Sequence, residues 1–191
     1  FPYTTLFRST PTDPLYTSQW HYYETKGGLR LPSAWDLADG GGVVVGVLDT
    51  GVRPHADLAA NLVSGYDFVS ATTMSNDGDA RDADATDPGD GCNGAHSSWH
   101  GTHVAGTIAA DAANTLGVTG VAPEARILPV RVAGRCGGRT SDIIDGILWA
   151  AGLPVEGVPA NPTPARVINL SLGTTAACSR ALQTALDAVH Q

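Results

Sequence analysis

The chain has 191 residues, 42 % of them hydrophobic, which is enough to bury the core of one domain. Its formal net charge of -8 argues against a nucleic-acid backbone or an anionic membrane surface as the main partner. No apolar run approaches the length of a membrane span, and the N-terminus has no signal-peptide pattern. The protein is therefore expected to be cytosolic, or to be made with a leader that this chain does not include.

The N-terminal third contains two aperiodic stretches followed by a strand. Residues 1–9 are interpreted as a non-native leader, and the Pro- and aromatic-rich residues 10–35 as an extended arm. The β-branched run VVVGVL at 43–48 lies between glycines and predicts a buried central strand. Asp49 follows that strand directly, at the end where open α/β sheets place their chemistry.

Further strands are predicted at 65–69, 126–132 and 166–172, and helices at 100–111, at 140–151 and from 179 onward. Thr140 or Ser141 is the expected cap of the second helix. A long polar loop separates the second strand from the first helix. Strands that alternate with helices indicate an α/β fold with a mostly parallel sheet covered on both faces. Because no strand follows the final helix, the chain is expected to be truncated at its C-terminus.

The helix at 100–111 begins with a polar, Gly-containing turn and continues in small and apolar residues, HGTHVAGTIAAD. Its alanines and Gly106 would let it lie close against a sheet. His100 falls in the first exposed turn, where a neutral histidine is a good general base. Taken alone, His100 is more simply a capping or surface histidine.

Asp49 and His100 together can form two thirds of a nucleophilic triad. The carboxylate would fix the imidazole tautomer, and the other ring nitrogen would take a proton from a nucleophile. The order along the chain, Asp before His, leaves a Ser to be expected last.

Of the three cysteines, Cys92 and Cys136 lie in Gly-rich turns, where a buried apolar role is unnatural. None of the cysteines forms a CxxC pair, so a zinc ribbon or thioredoxin-like motif is not expected. A disulfide between Cys92 and Cys136 is favoured over free thiols, and it would indicate an oxidising compartment.

Four segments, in order, resemble signatures of the subtilisin-like (subtilase, S8-type) serine proteases. They are VLDTG at 47–51, HGTHVAG at 100–106, GVTGVAP at 117–123 and VINLSLG at 167–173. The resemblance implies a three-layer subtilisin-like fold, with residues 10–191 forming the N-terminal part of one peptidase domain. It also implies a secreted endopeptidase, made as a precursor with a propeptide.

The resemblance assigns roles to particular residues. Asp49 becomes the orienting acid and His100 the base, whereas His103 is expected to pack inside the helix. Polypeptide substrates would bind as an added β-strand between two segments. These segments are Gly137, Gly138 and Arg139 on one side, and Ser171, Leu172 and Gly173 on the other.

The sequence departs from the family in one respect. The oxyanion-hole Asn segment and the GTSMA nucleophile segment do not occur in these 191 residues. Ser171 lies in the substrate strand and is not the expected nucleophile. This chain alone is therefore expected to be inactive.

Six of the 19 acidic residues lie between Asp77 and Asp90. A solvated loop is the default interpretation of such a run. Structural calcium is favoured here because Gly, Ala and Pro between the carboxylates let several of them converge on one cation. The candidate ligands are Asp79, Asp82, Asp84, Asp87 and Asp90, and the resemblance suggests a second site at Asp57 and Asn114.

Two other functions remain open. A metal-dependent hydrolase could hold a transition metal between His100, His103 and a carboxylate. A catalytically inactive homologue could bind proteins without cleaving them.

Overall fold

The computed structural model describes residues 10–175, 177 and 179–190. The strands are Val44–Asp49 (β1), Tyr66–Asp67 (β2), Arg126–Arg131 (β3) and Val167–Asn169 (β4). The helices are Leu31–Ala34 (α1), Thr72–Ser75 (α2), His100–Ala109 (α3), Thr140–Ala150 (α4) and Arg180–Val189 (α5). The expected leader at 1–9 and the third cysteine, Cys178, lie outside the described residues.

The four strands form one sheet in the order β2-β3-β1-β4. Strands β1 and β4 run parallel with Val45 opposite Val167, and β2 and β3 run parallel with Tyr66 opposite Val130. The predicted α/β fold with a mostly parallel sheet is confirmed. β1 ends at Asp49, so this carboxylate lies at the carboxyl end of a central strand.

The chain divides into two compact units. The smaller unit contains residues 10–43, 54–62 and 105–126, and its core packs Tyr16, Tyr22, Leu31 and Trp35 against Val121. The larger unit contains the remaining residues, including most of the sheet.

The predicted extended arm at 10–35 is wrong in its conformation. The segment forms two 3₁₀ turns, Tyr16–Ser18 and Trp20–Tyr22, followed by α1. Its aromatic residues bury against one another, and the Trp35 indole donates to the carbonyl of Val121 at 2.9 Å. Burial of large rings, rather than strand pairing, therefore shapes this segment.

In the larger unit, α4 packs on β1, and Ile147 is buried in the core. Gly146 lies against Val132, where an added Cβ would approach the Val130 side chain to 3.2 Å. The predicted cap is wrong: α4 begins at Thr140, so Arg139 is the N-cap, and it makes no side-chain capping bond.

The acidic segment at 70–99 is more ordered than the predicted loop. It contains α2, and Asp82 pairs with Asp67 in an isolated antiparallel bridge. Arg81 joins it to α4 through ion pairs of 2.8 Å with both Asp142 and Asp145. These arginine contacts balance part of the local negative charge.

Candidate active site

His100 and Asp49 meet where the first turn of α3 passes the end of β1. The Nδ1 atom of His100 lies 2.8 and 2.9 Å from the two carboxylate oxygens of Asp49. The Asp49 side chain is fully buried, whereas that of His100 is 43 % exposed. An imidazole held in this way can donate its Nδ1 proton to the carboxylate and use Nε2 to accept a proton from a reacting group.

The residues next to this pair hold the helix against the strand. The Thr50 amide donates to Asp49 Oδ1 at 2.8 Å, and the Gly101 amide donates to the Thr50 hydroxyl at 3.1 Å. A Cβ atom on Gly101 would collide with the Gly51 carbonyl and lie 3.1 Å from the Asp49 Cβ. Glycine at position 101 is thus required for the close approach of α3 to the end of β1.

His103 does not pack inside the helix as expected; it is exposed. The buried face of α3 consists of Gly101, Ala105 and Ala109. His103 lies two residues from Gly101 and from Ala105, which places it on the opposite side of a helix with 3.6 residues per turn. Within the described residues, no group of three or more His, Cys, Asp or Glu side chains is arranged to hold a metal ion.

Cys92 and Cys136 form a disulfide with their Cα atoms 4.9 Å apart. This is the pairing that their Gly-rich surroundings favour. It joins the segment that precedes His100 to the turn at 134–138, across a sequence separation of 44 residues. Cross-links of this kind contribute roughly 2–4 kcal/mol to the free energy of unfolding.

Two of the candidate calcium ligands in the acidic segment have other partners. Asp87 is buried and accepts from the Thr50 hydroxyl at 2.6 Å and from the Gly89 amide at 2.7 Å. Burial raises the pKa of the Asp87 carboxyl. Asp90 accepts from both the amide and the hydroxyl of Ser98, each at 2.6 Å. Each carboxylate thus has both oxygens in hydrogen bonds within the protein.

The other three candidates, Asp79, Asp82 and Asp84, line a cavity of about 340 Å³ together with Asp77 and Arg53. Oxygen donors of this kind suit calcium. The cavity is open, however, and Asp77 already pairs with the buried guanidinium of Arg131.

Asp57 and Asn114 lie together, but as hydrogen-bond partners. The Asn114 amide group donates to Asp57 Oδ1 at 2.8 Å, and the Val118 amide donates to Asp57 Oδ2 at 3.0 Å. The loop that carries Asn114 and Val118 is tightly curled, because Ala113 and Thr115 have φ angles of 59° and 64°.

Asp13 is a participant in this loop that the sequence did not suggest. Its Oδ2 atom accepts from the Ala113 amide at 2.9 Å and from the Thr119 hydroxyl at 2.7 Å. Its Oδ1 atom is buried, and none of the described residues donates to it. Asp13 follows an aperiodic segment with no flanking motif, so only its contacts reveal this position.

Both candidate substrate segments reach the surface. Gly137, Gly138 and Arg139 are exposed, and Gly134 and Gly137 pair across a tight antiparallel turn. Beyond the end of β4, Ser171 and Gly173 are exposed while Leu172 is half-buried. The hydroxyl of Ser171 accepts from the Asn169 side chain at 2.9 Å. Exposed backbone in both segments suits pairing with an extended peptide.

Among the described residues, no helix is both long and apolar enough to cross a bilayer.

Known proteases match this chain closely. It is 51 % identical over 187 residues to an extracellular protease of Xanthomonas campestris pv. campestris, and the match covers 93 % of this chain and 32 % of that protein. It is 46 % identical over 194 residues to an extracellular basic protease of Dichelobacter nodosus, covering 94 % and 32 % respectively. The chain thus spans 32 % of the length of each of these curated relatives.

The fold matches as well as the sequence. A solved structure described as proteases from Pseudoalteromonas arctica superposes with a TM-score of 0.91 at 58 % identity, covering 95 % of this chain and 56 % of that one. The sequence model described as the subtilase family matches residues 40–191. With Asp49 and His100 paired inside the matched region, the chain belongs to the subtilase family of serine proteases.

Proposed function

We propose that this chain provides the acid–base half of a serine endopeptidase. The observation that carries the proposal is the contact of His100 Nδ1 with both oxygens of the buried Asp49. In this role Asp49 orients the imidazole and stabilises the imidazolium, while His100 takes the proton of an attacking serine and returns it to the leaving amine.

The proposed substrate is an extended polypeptide. The backbone of Gly137, Gly138 and Arg139 would pair with one edge of the peptide, and Ser171, Leu172 and Gly173 with the other. The relatives are named extracellular proteases, which supports secretion of the protein that carries this chain. The Cys92–Cys136 disulfide suits the same oxidising compartment.

A graft tests the proposal. The segment of the Xanthomonas campestris protease that aligns with this chain is replaced by the matching part of this chain, and the purified graft is treated with a serine-directed fluorophosphonate. We expect rapid labelling of the graft and far slower labelling of its His100→Ala variant. Equal labelling of the two would contradict the role of His100.

The 191-residue chain made alone should hydrolyse no casein or peptide above background. Asp49 and His100 can orient and accept a proton, but no serine within these residues stands in the family's nucleophile motif. Donors aimed at the tetrahedral intermediate would be lacking as well. The measurement is casein hydrolysis by the purified chain. Hydrolysis that disappears in His100→Ala would contradict this expectation.

We also propose that calcium stabilises the smaller unit. The residues fit the ion: Asp13 and Asp57 both bind the curled loop at 113–119, and Asp13 Oδ1 is a buried oxygen without a donor among the described residues. Asp13, Asp57 and Asn114 would supply the oxygen ligands that calcium prefers. The acidic cavity lined by Asp79, Asp82 and Asp84 is the alternative site, although these carboxylates would have to move closer together to hold an ion.

Calcium should raise the melting temperature of this chain. At a concentration 100-fold above its dissociation constant, one site adds about 2.7 kcal/mol to the free energy of unfolding. The measurement is thermal unfolding in chelator and in millimolar calcium, with magnesium as the control ion. Asp13→Asn should lose the response, whereas a double variant with Asp79→Asn and Asp84→Asn should keep it.

If only the double variant lost the rise in melting temperature with calcium, the calcium site would lie in the acidic cavity instead. A melting temperature that is the same in chelator and in calcium would contradict the calcium proposal for both places.

A further inference from the structure

Asp87 is a buried carboxylate that has no role in the proposed proton transfer. It nevertheless accepts a hydrogen bond from Thr50, the residue that follows Asp49. Its side chain is completely buried, and its Oδ2 atom accepts from the Thr50 hydroxyl at 2.6 Å. Its other oxygen accepts from the Gly89 amide at 2.7 Å, which holds the carboxylate in place.

The Thr50 hydroxyl has one proton to donate and lone pairs to accept with. Because the carboxylate of Asp87 only accepts, the hydroxyl proton points toward Asp87. A lone pair of the same oxygen then faces the Gly101 amide, which donates to it at 3.1 Å. Asp87 therefore sets the direction in which Thr50 bonds.

This hydroxyl joins the two halves of the candidate active site. Thr50 follows Asp49 at the end of β1, and Gly101 follows His100 in the first turn of α3. A shift of Thr50 relative to Gly101 would therefore change the distances from His100 Nδ1 to the two Asp49 carboxylate oxygens, which are 2.8 and 2.9 Å.

A second pair of contacts ties the same elements together. The Arg53 amide donates to the Thr102 hydroxyl in the first turn of α3 at 2.9 Å. The Arg53 guanidinium donates to the Asp87 carbonyl at 3.4 Å. Asp87 thus contacts the loop after β1 through both its side chain and its backbone.

We infer that Asp87 is a positioning residue for the Asp49–His100 pair and acts through the Thr50 hydroxyl and the Gly101 amide. The inference rests on the proposed endopeptidase function. It assigns Asp87 to the support of the active site rather than to a metal ion.

Three substitutions separate this role from simple stability. Thr50→Val keeps the shape of the side chain and removes the hydroxyl, whereas Thr50→Ser keeps the hydroxyl. Thr50 and Gly89 donate to different oxygens of Asp87. Asp87→Asn replaces one of these oxygens by an NH2 group, so in the same position it can accept from only one of the two donors. Thr86→Val, which changes a half-buried threonine of the same segment, is the control for general loss of stability.

Steady-state kinetics of the graft give the first readout. Thr50→Val should lower kcat by up to about 10²-fold with little change in KM, because a small displacement of a catalytic group costs about that much. Thr50→Ser, which keeps the hydroxyl, should retain the parent kcat, and Thr86→Val should leave kcat unchanged. Asp87→Asn should lower kcat in the parent and add nothing in the Thr50→Val background, as expected of residues that act as one unit.

Proton NMR of the 191-residue chain gives the second readout. The downfield resonance of the His100 Nδ1 proton should move or broaden in Thr50→Val and in Asp87→Asn, and should persist in Thr50→Ser. The inference would be overturned if Thr50→Val lowered only the melting temperature, if Thr50→Ser were as slow as Thr50→Val, or if the losses in kcat were additive. Full activity of the His100→Ala graft would instead overturn the proposed function itself.

Discussion

Replacing His100 by Ala in the graft should lower kcat by about six orders of magnitude, the loss that removal of the triad histidine causes in subtilisin itself. The expected loss is this large because His100 would both accept the proton of the nucleophile and protonate the leaving amine. The measurement is hydrolysis of a chromogenic peptide at saturating and limiting substrate.

Asp49→Asn should lower kcat by less, roughly 10⁴-fold. An amide at position 49 can donate to Nδ1, which favours the wrong imidazole tautomer, but the imidazole itself remains. His103→Ala is the matched control, because His103 is exposed and lies three residues further along the same helix. This variant should stay near the parent rate. If His100→Ala and His103→Ala were equally active, His100 would not be the base.

Replacing Arg131 by Met should lower the free energy of unfolding by about 3–5 kcal/mol, since it leaves a buried carboxylate without its cation. The Arg131 side chain is completely buried and donates to Asp67, Asp77 and the Ser75 carbonyl. Asp67 is fully buried as well. Chemical denaturation of the 191-residue chain measures the loss. Arg126→Met is the matched control, because Arg126 is an exposed arginine on the same strand, β3.

The loss should also depend on pH. Burial raises the pKa of the Asp67 carboxyl to about 7, above its ordinary value of 3.8. The folded chain therefore retains a proton between about pH 4 and pH 7 that the unfolded chain releases, so the contribution of Asp67 to stability decreases as the pH rises through this range. Without Arg131 the ionised form becomes still less favourable.

The Arg131→Met variant should accordingly lose more stability at pH 8, where Asp67 must be charged, than at pH 5, where it can remain protonated. A loss no larger than that of Arg126→Met, or a larger loss at pH 5 than at pH 8, would contradict this account of the buried cluster.

The strands and the position of Asp49 could be predicted because their signals are local. A β-branched run bounded by glycines predicts β1, and its end places Asp49. The pairing with His100 needed more than one element, because it was inferred from the order of the two residues along the chain and from the resemblance to the subtilisin-like proteases. In the structure, the close approach that brings His100 to this carboxylate occurs at Gly101.

Contacts between distant residues could not be predicted in the same way. Asp87 appeared to be one more carboxylate of an acidic run, but its partner Thr50 lies 37 residues away in the sequence. Arg131 is 54 residues from Asp77 in the sequence, so the pairing of this arginine with the acidic segment could not be predicted either. The expectation that His103 packs inside the helix, which followed from the resemblance, was wrong because a sequence signature does not identify which face of the helix is covered.

The most direct test of the central claim is the protonation of His100 in the 191-residue chain, measured by ¹⁵N NMR of the histidine side chains at pH 8. An Asp49-oriented base carries its proton on Nδ1 and leaves Nε2 bare, and Asp49→Asn should abolish that preference. We expect this pattern in the parent chain. A proton on Nε2, with Nδ1 bare and no change in Asp49→Asn, would contradict the assignment of Asp49 and His100 as the acid–base pair.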